Sequence, residues 1–70
     1  MSGLRVHGLV AFFDEARGDG VVSTDLGESL YFHCVSIADG SRVIALGAKV
    51  NAERSVGHLG CDEVIDLRLD

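Results

Sequence analysis

Two runs of β-forming residues joined by a short turn most restrict the fold open to this chain. The runs are Asp19–Thr24 and Ser29–Cys34, and the second contains Leu30, Tyr31 and Phe32 in succession, a combination with strong strand propensity. Residues 25–28 lie between them and include an aspartate and a glycine, which favour a turn. The pattern predicts a β-hairpin near the centre of the chain.

Three further segments have strand character. One, Leu4–Phe13, precedes the hairpin, and two, Ala48–Val56 and Glu63–Arg68, follow it. The long connection after the hairpin is predicted to hold one helical turn over Ser36–Gly40, ended by its glycine. Five short strands predict an all-β fold that closes into a small barrel, because closure removes exposed strand edges. A chain of 70 residues is expected to form a single domain over residues 1–70.

The first strand carries apolar side chains on both faces. Simple alternation places Val6, Gly8, Val10 and Phe12 together, with Phe13 on the opposite face. One of the two phenylalanines must therefore belong to the core. A glycine within a strand often marks a bulge or a barrel corner, so we expect a bend at Gly8.

Three motifs follow one another in a characteristic order: Gly8–Asp14, Arg17–Val22 and Leu30–Cys34. They resemble the first strand and the two nucleic-acid-binding motifs of the cold-shock domain family, and the match runs from Gly8 to Leu67. The resemblance implies a five-stranded antiparallel barrel of the OB-fold type. It also implies binding of single-stranded DNA or RNA, with a role in transcription or in regulating RNA structure.

The resemblance further implies which side chains would contact the nucleic acid. In such a site, aromatic side chains stack on unpaired bases while Lys and Arg hold the backbone. Phe12 and Tyr31 stand at stacking positions of the family, and Arg17 keeps a basic contact. The candidate nucleic-acid-binding residues are Phe12, Arg17, Tyr31, His33 and Arg54, with Lys49 as a further basic candidate.

Other positions depart from the family pattern. Asp19 and Val21 replace the two aromatics of the first motif, Cys34 replaces the aromatic after the histidine, and Ser41 replaces one in the long connection. Each lost stacking platform is worth about 1–3 kcal/mol. The net charge is −5, from six basic and eleven acidic residues, whereas clustered Lys and Arg supply most of the affinity in nucleic-acid binders. We therefore expect a weakened site.

These departures leave a second function open. An apolar sheet face with an acidic rim suits a protein interface better than a phosphate chain. The barrel would then be a protein-interaction or self-association module, with a homodimer as one form and little affinity for nucleic acid.

The remaining function classes are not expected. The Cys and His residues do not assemble a zinc site, since His33 and Cys34 adjoin on one strand and His58 with Cys61 supplies two ligands at most. Asp19 and His33 are the nearest catalytic pair, but no nucleophile or cofactor motif accompanies them. We expect no enzyme, cofactor, metal or small-molecule substrate. With no membrane span and no signal-peptide pattern, the expected location is the cytoplasm.

Overall fold

The computed structural model of the protein describes residues 5–40, 43–56 and 62–70. Its strands form a closed barrel in the order β1-β2-β3-β5-β4, which confirms the all-β, five-stranded barrel. Four of the pairings are antiparallel, and β3 pairs with β5 in parallel. The elements are β1 (Arg5–Asp14), β2 (Asp19–Thr24), β3 (Ser29–His33), a 3-10 helix (Cys34–Ser36), β4 (Lys49–Val56) and β5 (Asp62–Leu69).

The connection after β3 contains two successive turns. The sequence indicated a turn over 36–40, and a hydrogen bond from the Gly40 N–H to the Ile37 carbonyl at 3.2 Å closes a turn within that segment. The 3-10 helix over Cys34–Ser36 precedes it and was not predicted, and it ends β3 at His33. The physical reason is a cap, because His33 Nδ1 accepts a hydrogen bond from the backbone N–H of Val35 at 3.3 Å. Gly40 follows in a left-handed conformation, with φ of 83°, which glycine adopts without strain.

The barrel interior is filled by aliphatic side chains around one aromatic ring. Phe32 has no exposed surface and stacks on Phe13 with ring centroids 5.9 Å apart. Every strand contributes at least one side chain to this single core. The buried hydrophobic residues are Val10, Val22, Leu30, Phe32, Cys34, Ile37, Val50, Ala52, Val64 and Leu67.

A β-bulge in β1 overturns the simple alternation predicted for that strand. Val10 pairs with Val22, but Phe12 pairs with Val21, so Ala11 is an extra residue in β1. Phe12 therefore does not share the inward face of Val10, and its side chain lies on the outside of the barrel. Phe13 instead packs against the core.

Gly8 lies where β1 passes from one partner strand to the other. It pairs with Thr24 of β2 and with Val50 of β4, as expected of a barrel corner. A Cβ at this position would lie 2.1 Å from the carbonyl oxygen of Ser23. The strand thus changes partners at the glycine where the sequence predicted a bend, while the bulge lies three residues further on.

Several predictions concern residues outside the described ranges. They are the start of the first strand at Leu4, the substitution at Ser41, the loop over residues 57–60 and the pairing of His58 with Cys61. Cys34 is buried and is a free thiol. Among the described residues, no helix has the length and apolar character needed to cross a bilayer.

Candidate nucleic-acid interface

A row of four cross-strand neighbours crosses the outside of the barrel. Phe12 of β1 pairs with Val21 of β2, Val21 with Tyr31 of β3, and Tyr31 with Glu63 of β5. Directly opposed residues in a sheet project from the same face. Phe12 is 52% exposed and Tyr31 is 41% exposed. Two solvent-accessible aromatic rings thus lie two strand spacings apart, about 10 Å.

The alternation of side chains along β2 places Val21 on the outer face of the barrel, in line with Phe12 and Tyr31. Gly20, Val22 and Thr24 are buried, whereas Val21 and Ser23 on the other face are partly or fully exposed. A Cβ at Gly20 would lie 2.3 Å from the carbonyl oxygen of Phe12 and 2.8 Å from the Phe32 ring. The absence of a side chain at Gly20 therefore lets β1 approach β2 closely while Phe32 fills the core beneath them.

Asp19 joins Arg17 to Tyr31. Its Oδ2 accepts hydrogen bonds from Arg17 Nη2 at 3.1 Å and from the Tyr31 hydroxyl at 3.3 Å. Burial and the nearby Asp19 carboxylate raise the pKa of Tyr31 above its usual value, so the phenol stays protonated. Sequence reasoning treated Asp19 as a lost aromatic and as a possible partner of His33, and it missed the contacts with Arg17 and Tyr31. The one available signal was the pairing of β2 with β3, which brings the first motif beside the second.

His33 lies beside this cluster without joining it. It is the cross-strand partner of Asp19, but the hydrogen bonds described for Asp19 come from Arg17 and Tyr31. The Nδ1 atom of His33 accepts from the N–H of Val35, so the neutral ring carries its proton on Nε2. His33 is exposed and can offer this Nε2–H to a ligand.

Arg54 lies apart from the other four candidates. It follows Val50 and Ala52 on the inward alternation of β4, and its guanidinium binds the carboxylate of Glu28. Nη1 donates to Glu28 Oε1 at 2.7 Å, and Nη2 also donates to Asp62 at 3.0 Å. Arg54 therefore ties the hairpin turn to the start of β5. Phe12, Tyr31 and His33 share the outer face, and Arg17 reaches it from the preceding turn.

The pairing of Arg54 with Glu28 predicts a pH-dependent stability. The hydrogen bond from Arg54 lowers the pKa of Glu28 below its ordinary value of 4.5. A lowered folded-state pKa adds stability above pH 4.5 that is lost as pH falls through the folded-state value. We expect Arg54→Gln to have a lower melting temperature than wild type at neutral pH. The difference between the two melting temperatures should narrow below pH 4.5. Thermal melts followed by circular dichroism measure both curves.

Lys49→Gln is the matched control for this pH series. It removes the same charge from β4, and Lys49 has no ion pair with any residue that the structure describes. Its melting-temperature difference from wild type should stay constant across the same pH range. If the melting-temperature difference between Arg54→Gln and wild type is also independent of pH, the ion pair does not contribute to stability as proposed.

The arginines of the described chain are already paired with carboxylates. Arg5 and Arg68 both bind Asp66, at 2.7 Å and 3.2 Å, in addition to the pairs that Arg17 and Arg54 form. A phosphate must compete with these carboxylates for each guanidinium. The carboxylates therefore weaken any electrostatic attraction of these guanidinium groups to a phosphate chain.

Comparison with known proteins does not add a family to this description. No family model matches the chain, and no curated protein matches it. The functional assignment therefore depends on the arrangement of the outer face and on the resemblance of the sequence motifs.

Proposed function

We propose that the protein binds single-stranded DNA or RNA on the outer face of β1, β2 and β3. The observation that carries this proposal is the row in which Phe12 and Tyr31 stand exposed on either side of Val21. Unpaired bases stack on such rings whatever their sequence, because every base has a π-face. The Arg17 side chain, 73% exposed, supplies a cation at the edge of the same surface.

The expected affinity is modest. Two stacked bases contribute about 2–6 kcal/mol in total, and the paired arginines add little to this. Contributions in the upper half of that range, about 4–6 kcal/mol, correspond to a dissociation constant of about 40 μM to 1 mM. Affinity of this size suits a protein that contacts many single-stranded sites briefly.

The salt dependence of binding distinguishes stacking from electrostatic attraction. With one or two phosphates contacted, log K should fall against log salt with a slope of about −0.7 to −1.4. Affinity for a short pyrimidine-rich oligonucleotide should thus fall only about 3–7-fold between 50 and 200 mM salt. Fluorescence anisotropy measures the two binding curves. Absence of binding at low salt and millimolar protein would overturn the proposal.

A second candidate function rests on a different observation. A surface depression of about 620 Å³ is lined by Phe12, Phe13, Ile44 and Leu46 together with Asp14 and Glu15. An exposed apolar surface with an acidic rim is a feature of protein interfaces. Self-association through this surface would cover Phe12 and so compete with oligonucleotide.

Sedimentation velocity separates the two functions. Nucleic-acid binding by the open outer face predicts a monomer at the protein concentrations used for titration. A dimer that dissociates when oligonucleotide is added would show that self-association and oligonucleotide binding compete for the same surface. A dimer that persists and binds no oligonucleotide would favour the interaction module.

A further inference from the structure

Asp19 places a carboxylate at the edge of the proposed stacking surface. Tyr31 donates its hydroxyl hydrogen to Asp19 Oδ2 over 3.3 Å, so the carboxylate lies beside the rim of the ring on which a base would stack. The Arg17 contact reaches the same oxygen, Oδ2. The other oxygen, Oδ1, receives neither of these two hydrogen bonds, and the largely buried Asp19 side chain keeps 11% of its surface exposed.

An ionised carboxylate accepts hydrogen bonds but cannot donate them. The hydroxyl end of the Tyr31 ring points to Asp19, so a base stacked over that end of the ring would place one of its edges near the carboxylate. Cytosine presents an exocyclic N4 amino group on that edge and can donate to an acidic side chain. Uracil and thymine present the O4 acceptor in the same place, where two acceptors would face each other.

We propose that Asp19 makes this face selective for single strands rich in cytosine over those rich in uracil or thymine. The inference rests on the proposed binding of single-stranded nucleic acid by Phe12 and Tyr31, and it names the class of base that the site accepts. Asp19 is then a specificity-determining residue rather than merely a lost stacking position. Its neighbour Arg17 can donate to oxygens of either base and adds affinity to both.

Two deoxyoligonucleotides test this selection directly. Seven-residue strands of deoxycytidine and deoxyuridine differ in the hydrogen-bonding edge of the base but have similar stacking areas. At low salt and mildly alkaline pH, where cytosine is unprotonated, we expect wild type to bind the cytosine strand about 5-fold or more tightly. Fluorescence anisotropy with both strands gives this ratio.

Asp19→Asn should bring the ratio close to one. The amide can turn to donate to O4 of uracil or to accept from N4 of cytosine. The control is Asp25→Asn, which makes the same charge change at an exposed position in the hairpin turn. It should leave the ratio between the two strands unchanged.

A modified oligonucleotide tests the same contact without altering the protein. In N4,N4-dimethylcytosine the ring is kept but both amino hydrogens are replaced. We expect a strand of this base to bind wild type about as weakly as the uracil strand. This result supports the inference even where Asp19→Asn proves too unstable to measure.

The possible outcomes separate this inference from the function on which it rests. Equal binding of the cytosine and uracil strands, or a preference for uracil, overturns base selection and leaves single-strand binding intact. A cytosine preference that survives in folded Asp19→Asn also overturns it. Binding of neither strand overturns the proposed function itself.

Discussion

Phe32→Ala should lower the free energy of unfolding by about 3–5 kcal/mol. The side chain is fully buried, stacks on Phe13 at 5.9 Å and lies close beneath Gly20. Its loss leaves a cavity in the middle of a small core. A domain of 70 residues has a free energy of unfolding of about 4–10 kcal/mol. If the wild-type value is near the lower end of this range, the variant should be largely unfolded. Urea unfolding followed by circular dichroism measures the change.

Tyr31→Ala is the matched control for this prediction. It removes a neighbouring aromatic ring from the same strand, but from the outer face, where Tyr31 is 41% exposed. We expect a loss of about 1 kcal/mol, mainly from the hydrogen bond to Asp19. Equal losses for the two variants would mean that β3 does not present Phe32 inward and Tyr31 outward.

Removal of both exposed rings should reduce oligonucleotide affinity about 30-fold or more. Each stacked base is worth about 1–3 kcal/mol, so the double variant Phe12→Ala with Tyr31→Ala loses at least about 2 kcal/mol of binding energy. From a starting constant in the micromolar to millimolar range, this makes binding undetectable by fluorescence anisotropy. The single substitutions should each produce an intermediate loss.

Two controls separate stacking from general loss of apolar surface. Tyr31→Phe keeps the ring and should retain binding, while Leu26→Ala removes an 84% exposed apolar side chain from the hairpin turn and should have no effect. If the double variant binds like wild type while remaining folded, nucleic acid contacts another part of the surface.

The sequence predicted the hairpin and the strand number well because both are local properties. β2 covers Asp19–Thr24, as the alternation and the flanking turns indicated. The glycine and aspartate of the turn after it, with φ of 87° at Gly27, fix where the strand ends. The long connection was harder, because a side-chain cap from His33 rather than helix propensity places its 3-10 turn.

The exposure of Phe12 could not be read from alternation. An extra residue at Ala11 shifts the register between Val10 and Phe12, and alanine carries no local signal for a bulge. The bulge allows Val10 to face the core and Phe12 to face outward although they are two residues apart. The pairing of β1 with β2 determines this outcome, and one strand read alone does not contain it.

The contacts of the charged candidates also depend on residues that are distant in sequence. Arg54 is held by Glu28, 26 positions away in sequence, and Tyr31 contacts Asp19 across 12 positions. A list of basic residues in sequence treats Arg17 and Arg54 alike. The folded barrel places Arg17 at the aromatic row and uses Arg54 to join the hairpin turn to β5.

The measurement that tests the central proposal most directly is an NMR titration of the ¹⁵N-labelled protein with a short single-stranded oligonucleotide at low salt. Amide shifts should concentrate on the outer face of β1–β3 and leave the pairing of β4 with β5 around Asn51 and Arg68 unchanged. Shifts centred on β4 and β5, or none at millimolar oligonucleotide, would contradict the proposal. The residues predicted to shift most are Phe12, Asp19, Val21, Tyr31 and His33.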